Sequence, residues 1–260
     1  MELNLEVCKT IAVQYGLPLQ FVVKEFFVFD VLAQITTLTA NSKKLVFKGG
    51  TALNKVYLGK AQRFSEDLDF DSGSERLSQT REESKKIAEK LSGYDAKEFR
   101  RVGDSIQFYC SFESPLGGKD HVRVDIAAKK IITAKPLQVK TAFSTCAQRS
   151  VTGFSVYSIE DLTARKLHAL RTRTEGKDFY DVHNALPLCG SLEGALEKML
   201  ESERIKETPK EFLAKTAERV KKADAKKLRN LTNPFIPAPY RPRDWLELKN
   251  DLAAKLEAMG

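Results

Sequence analysis

The sequence lacks the features that mark membrane-spanning and secreted proteins. No apolar run approaches the roughly 18–20 residues that a membrane-spanning helix needs. The first ten residues, MELNLEVCKT, do not show the charged and then apolar profile of a signal peptide. We therefore expect a cytoplasmic protein that makes no use of a membrane.

Cysteine and histidine are scarce as well. The 260 residues contain four cysteines and three histidines, and no two cysteines form a CxxC pair. This spacing fits neither a zinc cluster nor a disulfide scaffold. We expect all four cysteines to be reduced and mostly buried, as free cysteines usually are.

Positive charge is in excess and is distributed unevenly. The formal net charge is +8; residues 204–229 hold ten Lys/Arg and four Asp/Glu, and residues 127–150 hold five Lys/Arg and no acid. Clustered positive charge favours a polyanionic partner, because binding releases counterions from nucleic acid. A solvated face that keeps the protein soluble explains the same residues, so charge alone leaves both interpretations open.

Helix and strand patterns change character near residue 150. Before it, the sequence predicts strands at 44–47, 67–71, 105–113 and 121–128 and helices at 3–15, 19–39, 51–58 and 79–92. After it, the patterns predict helices at 158–173, after Gly176, and at 191–203, 208–220 and 243–258. We therefore predict an α+β chain with a mixed α/β domain, residues 1–150, and a helical domain, residues 151–260.

The stretch DLDFD, residues 67–71, alternates acidic and apolar side chains. On a strand, Asp67 and Asp69 point to one face and the apolar residues to the other. Two neighbouring carboxylates repel each other, and a divalent ion such as Mg²⁺ removes that repulsion. If the strand of Asp125, in VRVDIAA, lies beside this one, three carboxylates converge into a site for metal-assisted phosphoryl or nucleotidyl transfer.

Gly49 and Gly50 lie between a predicted strand and a predicted helix. Glycines there let the backbone approach a ligand closely, and the helix N-terminus offers unpaired N–H groups to a phosphate. Lys48, Thr51 and Lys55 can add charge and hydrogen bonds. Taken alone, a Gly-Gly turn or a DxD strand end is common, but the order strand, GGT, helix, DxD and a later apolar–Asp–apolar strand is much more specific.

This order resembles the nucleotidyltransferase superfamily related to DNA polymerase β. The fuller text KGGTAL…RFSEDLDF and the later text SIEDLTARKLHALRTRTEGKDFYDV resemble one branch, the AbiEii/AbiGii and MenT-type toxins of bacterial and archaeal toxin–antitoxin systems. The resemblance covers roughly residues 44–185. It implies a polymerase-β-like nucleotidyltransferase domain, a mixed sheet with helices, followed by a helical C-terminal domain.

The resemblance also implies catalytic residues. In this branch catalysis is assigned to the DxD acids and to a lysine and an aspartate of the second half, which match Asp67, Asp69, Lys166 and Asp178. Lys166 would act as a point charge on the triphosphate, although a surface lysine is the simpler interpretation without the resemblance. Asp178 would orient a neighbouring cation or shape the acceptor site, although a carboxylate near a helix N-terminus is also favoured by the helix dipole alone.

The implied function is Mg²⁺- or Mn²⁺-dependent transfer of a nucleoside monophosphate from an NTP to RNA, at the 3′ end of tRNA. The metal would lie on Asp67, Asp69 and Asp125, and the basic segments would contact the RNA. A cognate antitoxin would be a protein partner. The residues expected to bind the nucleotide are Lys48, Gly49, Gly50, Thr51, Arg63 and Ser65.

Two other functions remain open. The protein could transfer nucleotides to a small molecule or a protein, which the basic surplus disfavours. It could also be a non-catalytic module that binds nucleic acid or a partner, which the retained DxD disfavours, since adjacent unpaired acids are a liability in an inactive site.

Overall fold

The computed structural model describes residues 3–40 and 45–260, which form two compact units. The first unit contains the described residues up to Ile131 together with Gln138–Val156. The second unit contains Ile132–Leu137 and Tyr157–Gly260. The short segment Ile132–Leu137 therefore belongs to the second unit, although the chain on both sides of it belongs to the first.

A seven-stranded mixed sheet is the centre of the first unit. Its strand order is β3-β4-β5-β2-β1-β7-β6. The pairs β2–β5 and β1–β7 are parallel, and the other four pairs are antiparallel. The strands are β1 Val46–Lys48, β2 Asp67–Asp71, β3 Asp95–Val102, β4 Ser105–Glu113, β5 Lys119–Ala127, β6 Gln138–Ser144 and β7 Arg149–Val156.

Four helices complete the first unit: α1 Leu5–Tyr15, α2 Leu19–Thr39, α3 Gly49–Tyr57 and α4 Leu77–Ala88. The long helix α2 is apolar on more than one side and packs against β7, β5 and β2. Apolar side chains of the central strands fill the core, and Phe47, Leu68 and Phe108 are fully buried. Burial of one face of the sheet leaves the polar side chains of β2 and β5 on the other face.

The second unit is entirely helical among its described elements. Its helices are α5 Ile159–Thr172, α6 Gly176–Ala185, α7 Glu193–Ser202, α8 Pro209–Lys222, α9 Ala225–Thr232 and α10 Trp245–Met259. Helix α5 begins where the sequence predicts, because the Ser158 hydroxyl accepts a hydrogen bond from the Asp161 N–H at 3.1 Å. Phe179, Phe212 and Leu252 belong to the apolar core between these helices.

The predicted α+β fold class is confirmed, with a mixed sheet and a helical C-terminal region. Strands β3, β6 and β7 and helix α9 were not predicted. Strands β3 and β6 are the two edges of the sheet and carry many exposed or charged residues, so they lack the apolar alternation of a central strand. Of the strand predicted at 44–47, Lys44 lies outside the described residues, and β1 begins at Val46.

Among the described residues, no two cysteines are joined by a disulfide bond. Cys8 and Cys110 are buried, and Cys146 and Cys189 are partly buried. Within the same ranges, none of the helices combines the length and the apolar character needed to cross a lipid bilayer.

Candidate active site

Two parallel strands bring the predicted acids onto one face of the sheet. β2 and β5 pair in a register that sets Asp67 opposite Arg123 and Asp69 opposite Asp125. Side chains that are opposite each other in neighbouring strands share a face, so the three acids lie on the same side. Leu68, which points to the other side, is fully buried. The strand of Asp125 therefore lies beside that of Asp67 and Asp69, as the three-carboxylate hypothesis required.

Two cations accompany these acids. The Arg123 guanidinium contacts Asp67 through Nη2, and its Nε lies 3.0 Å from Asp125 Oδ2. Lys48 on β1 lies opposite Asp69 of β2 and forms an ion pair with Asp71, which is buried. Counted within this group alone, four carboxylates and two cations sum to a formal charge of −2. We call this group the acidic cluster: Asp67, Asp69, Asp71, Asp125, Lys48 and Arg123.

The pKa of Asp69 is raised above its ordinary value. It is about 6, chiefly because of burial; Lys48 and Arg123 act to lower it, and Asp125 and Asp67 act to raise it. A carboxyl group in this setting gains from any additional cation nearby, because the cation stabilises its charged form. The environment of Asp69 therefore favours an added positive ion.

Gly49 explains how the Asp69 side chain fits beside the start of α3. Its φ of +77° lies in the left-handed region, and a Cβ at this position would come within 2.0 Å of Asp69 Oδ2. The N-cap residue of α3, Lys48, makes no side-chain capping hydrogen bond, and the helix N-terminus favours negative charge. Gly49 therefore permits a close approach to the backbone, as expected, but the group that lies against it is the Asp69 carboxylate of the protein itself.

The two residues after Gly49 are held by contacts within the protein. The Thr51 hydroxyl is buried and donates a hydrogen bond to the backbone carbonyl of Asp67. The Gly50 carbonyl accepts a hydrogen bond from Asn54 Nδ2 at 2.9 Å. The Thr51 contact joins the first turn of α3 to the start of β2, and the Asn54 contact lies within α3.

Arg63 and Ser65 form the segment that leads into β2. Both are buried, and Arg63 Nη1 donates to the Phe64 carbonyl at 2.9 Å and to Ser65 Oγ at 3.1 Å. Lys55, which the sequence suggested as a further source of charge near the glycines, forms a buried ion pair with Glu25 of α2. Its positive charge is therefore already neutralised by a carboxylate of the core.

The chemistry of the acidic cluster fits a divalent cation. Carboxylate oxygens are hard ligands of the kind that Mg²⁺ prefers, and the cluster has the charge surplus that such an ion would neutralise. Within residues 3–40 and 45–260, however, no three Asp, Glu, His or Cys side chains are arranged to hold a metal ion as they stand. At the acidic cluster, Arg123 contacts both Asp67 and Asp125.

Lys166 and Asp178 meet in the second unit. Lys166 Nζ on α5 lies 2.7 Å from Asp178 Oδ1 and 3.0 Å from Asp181 Oδ2, both on α6. Arg173 Nε donates to Asp178 Oδ2 at 2.8 Å. The Lys166 side chain is 8% exposed and the two aspartates are fully buried. We call Lys166, Arg173, Asp178 and Asp181 the balanced cluster, since two cations face two carboxylates.

Electrostatics hold Asp178 in its charged form. Burial raises the pKa of Asp178, but Lys166 and Arg173 outweigh that effect, and the net pKa lies below the ordinary value. Asp178 also lies in the first turn of α6, where the helix dipole favours a carboxylate.

Sequence reasoning did not propose Arg123, Gln107 or Arg173 as site residues. Arg123 precedes Asp125 by two residues in VRVDIAA, so period-2 alternation placed it on the same face. Gln107 lies opposite Asp125 on β4 and donates to its Oδ1 at 3.0 Å. Recognising Gln107 required the pairing of β4 with β5, whereas a signal for Arg123 was present in the sequence.

A mixed sheet that carries acids on neighbouring strands, next to a Gly-Gly turn at a helix N-terminus, is the arrangement that the sequence resemblance to nucleotidyltransferases implies. Residues 30–258 match the family described as nucleotidyl transferase AbiEii toxin, type IV toxin–antitoxin system. The chain belongs to this family of nucleotidyltransferase enzymes, as the sequence resemblance predicted.

Solved structures show the same fold. The chain is similar to MenT4, a nucleotidyltransferase toxin from Mycobacterium tuberculosis H37Rv, with a TM-score of 0.64, 18% identity and coverage of 98% of this chain and 90% of the other. It is also similar to JHP933 from Helicobacter pylori, with a TM-score of 0.53, 18% identity and coverage of 93% and 94%. No curated protein matches the chain significantly.

Proposed function

We propose that the protein transfers a nucleoside monophosphate from an NTP to the 3′ end of tRNA in a reaction that depends on Mg²⁺ or Mn²⁺. One observation carries the proposal: Asp67, Asp69 and Asp125 share one face of the sheet, and the group that they form with Asp71, Lys48 and Arg123 has a formal charge of −2. Membership of the AbiEii toxin family supports the reaction type.

The proposed metal ligands are Asp67, Asp69 and Asp125. When bound, the ion would supply charge neutralisation for the triphosphate and activation of the attacking oxygen. Gln107 holds Asp125 through one carboxylate oxygen and so limits how that side chain can turn. The strands themselves fix the spacing of the three acids, because Asp69 and Asp125 are paired directly across β2 and β5.

We propose that the triphosphate binds at the start of α3. Backbone N–H groups at a helix N-terminus suit a phosphate, and Gly49 keeps the turn free of a side chain. Lys48 adds positive charge at the end of β1. Arg63 and Ser65 hold the segment before β2 and are proposed to contribute to nucleotide binding from there.

Lys166 and Asp178 are the proposed catalytic residues of the second unit, as the family resemblance implies. The ammonium of Lys166 is fixed by two carboxylates, so its position is set before any substrate binds. A preorganised charge of this kind is more effective in catalysis than a mobile one.

The basic residues support RNA as the acceptor. All ten Lys/Arg residues in 204–229, which belong to α8, α9 and the adjoining turns, are exposed. In the first unit Lys130, Lys140 and Arg149 are exposed as well. Exposed positive charge of this density favours a polyanion such as tRNA. As a type IV toxin, the protein is also proposed to act with a cognate antitoxin, and in the cytoplasm, where NTPs and tRNA are available.

Labelled nucleotides test this function directly. The purified protein is incubated with each α-³²P-labelled NTP, Mg²⁺ and total tRNA, next to the variants Asp67→Asn and Asp95→Asn. Asp95 is the matched control, since it is an exposed acid on the edge strand β3 that pairs with Lys97. We expect label on tRNA, at least about a hundredfold less in D67N, and unchanged labelling in D95N.

Two outcomes would contradict the proposal. Label that appears on protein or on a small molecule instead of tRNA would identify a different acceptor. Absence of label with every NTP, while tRNA is still bound, would identify a non-catalytic nucleic-acid-binding protein.

A further inference from the structure

Arg123 holds two of the three proposed metal ligands. It lies opposite Asp67 in the β2–β5 pair and two residues before Asp125, so its side chain is on the face that carries both acids. The guanidinium contacts Asp67 through Nη2 and Asp125 through Nε at 3.0 Å. A single positive group therefore bridges the strands at the place where the carboxylates would have to meet around an ion.

Asp125 is held in place by contacts other than the one with Arg123. Gln107 on β4 donates to Asp125 Oδ1 at 3.0 Å, and Tyr109 donates to Gln107 Oε1 at 2.8 Å. These contacts reach Asp125 from the opposite strand and do not involve the guanidinium. Removal of Arg123 would leave Asp125 positioned and would free its Oδ2 for another cation.

The Arg123 side chain is partly exposed to solvent, so it can move away from the acids without disturbing the apolar core. Its side chain is 38% exposed, and that of Asp67 is 37% exposed. Ion pairs with this degree of solvent contact contribute little to stability, so a divalent ion can compete with them. The buried Arg63, by contrast, is held by backbone and hydroxyl acceptors.

We propose that Arg123 is a resident counter-ion that offsets part of the negative charge of the acidic cluster in the metal-free protein, and that a divalent cation displaces it. Arg123 then determines how tightly the cluster binds metal. This inference rests on the proposed metal-dependent function, and it assigns to this arginine a positioning role that acts through Asp67 and Asp125.

Binding of Mn²⁺ in the absence of nucleotide and RNA tests the inference. Free Mn²⁺ is measured by electron paramagnetic resonance during titration of the wild type and of Arg123→Gln, Arg123→Lys and Arg101→Gln. Arg101 is the matched control because it lies on β3 of the same sheet and donates to the Gly103 carbonyl.

Only one of the three variants should change the affinity for Mn²⁺ strongly. R123Q should bind Mn²⁺ about tenfold more tightly than the wild type, because a unit positive charge about 5 Å from a divalent ion is removed from a water-exposed site. R123K keeps the charge and should remain within about threefold of the wild type, as should R101Q.

A thermal measurement separates a counter-ion from a merely structural arginine. In EDTA, R123Q should melt below the wild type, since the carboxylates lose a cation. Saturating Mn²⁺ should restore most of the difference. A structural arginine would lower the melting temperature equally with and without Mn²⁺, and that result would overturn the inference.

Nuclear magnetic resonance of the unmodified protein keeps the test independent of whether R123Q folds. Arg123 Nε is buried beside Asp125, so its N–H signal, assigned by its absence from the R123K spectrum, should exchange slowly with solvent at first and faster as Mg²⁺ is added and the guanidinium moves away. The Nε–H signal of Arg173, bound to Asp178, serves as the internal reference and should not change. An Arg123 signal that stays protected at saturating Mg²⁺ would contradict displacement.

Failure of this inference and failure of the proposed function give different results. If the wild type binds Mn²⁺ and R123Q binds it equally or more weakly, only the role of Arg123 is wrong. If the wild type binds no Mn²⁺ with or without an added NTP, the metal-dependent function is wrong and the inference fails with it.

Discussion

The two charged clusters contain the same kinds of side chain but differ in how well their charges balance. In the balanced cluster of the second unit, two cations face two carboxylates that are fully buried. In the acidic cluster of the first unit, four carboxylates share Lys48 and Arg123. Burial disfavours charge in both places, so counter-charges decide which carboxylates remain ionised.

The consequences appear in opposite pKa changes. Burial raises the pKa of Asp69 to about 6, and the nearby cations do not compensate for it. Burial also acts on Asp178, yet Lys166 and Arg173 bring its pKa below the ordinary value. The comparison indicates that the acidic cluster carries net negative charge among its members, whereas each buried carboxylate of the balanced cluster contacts a cation.

The largest expected effect concerns the balanced cluster. Lys166→Met should lower the free energy of unfolding by about 3–5 kcal/mol, because it leaves Asp181 and one oxygen of Asp178 buried without their ammonium partner. Urea unfolding followed by circular dichroism measures the change. The exposed Lys226 provides the control, and Lys226→Met should stay within about 0.5 kcal/mol of the wild type.

A loss below about 1 kcal/mol in K166M would show that the Lys166 ammonium is not needed to stabilise the two buried aspartates. The double variant K166M/Asp181→Asn sharpens the result. It should recover part of the lost stability, since it removes one of the buried negative charges that Lys166 contacted.

The next effect concerns the contact between Gly49 and Asp69. Gly49→Ala should cost about 3 kcal/mol, from the left-handed backbone together with a Cβ that would overlap the carboxylate. Gly118 is a matched control because its φ of +74° is nearly the same and no heavy atom lies within 4 Å of its Cβ position. Gly118→Ala should cost about 1–2 kcal/mol, the backbone contribution alone. Equal losses in the two variants would show that Asp69 does not lie against the start of α3.

The alternation in DLDFD was sufficient to predict that Asp67 and Asp69 share a face, since side-chain direction along a strand is a local property. The pairing of β2 with β5 could not be predicted in the same way. Asp69 and Asp125 are 56 residues apart, and no local pattern determines which strands of a mixed sheet become neighbours. The hypothesis about Asp125 could therefore be stated only conditionally.

The ion pairs of the balanced cluster illustrate the same limit. Asp178 and Asp181 are three residues apart in the sequence, which is enough to place both on one face of a helix. That Lys166 lies against both depends on how α5 packs on α6, which is a tertiary property. Strands β3 and β6 were missed for another reason: edge strands with exposed charges lack the apolar alternation by which strands are recognised.

A moderate effect of the opposite sign is expected for Asp69. In EDTA at pH 7.5, Asp69→Asn should raise the free energy of unfolding by about 1–2 kcal/mol, because it removes one of the four negative charges that share two cations. Asp71→Asn is the matched control in the same strand and should lower stability, since Asp71 is buried and paired with Lys48. If both variants lose stability alike, the acidic cluster has no surplus of negative charge.

The smallest expected effect is the pH dependence of the stability that D69N gains over the wild type. Asp69 has a pKa of about 6 in the folded protein and an ordinary value near 3.8 when unfolded, so its folded form binds the proton more tightly. Its contribution to stability therefore falls as pH rises from about 4 to about 6 and is constant above that range. The advantage of D69N over the wild type in EDTA should be about half as large at pH 5 as at pH 7.5. Urea unfolding of both proteins across this range measures it, and an advantage that grows as pH falls would show that the pKa of Asp69 is not raised.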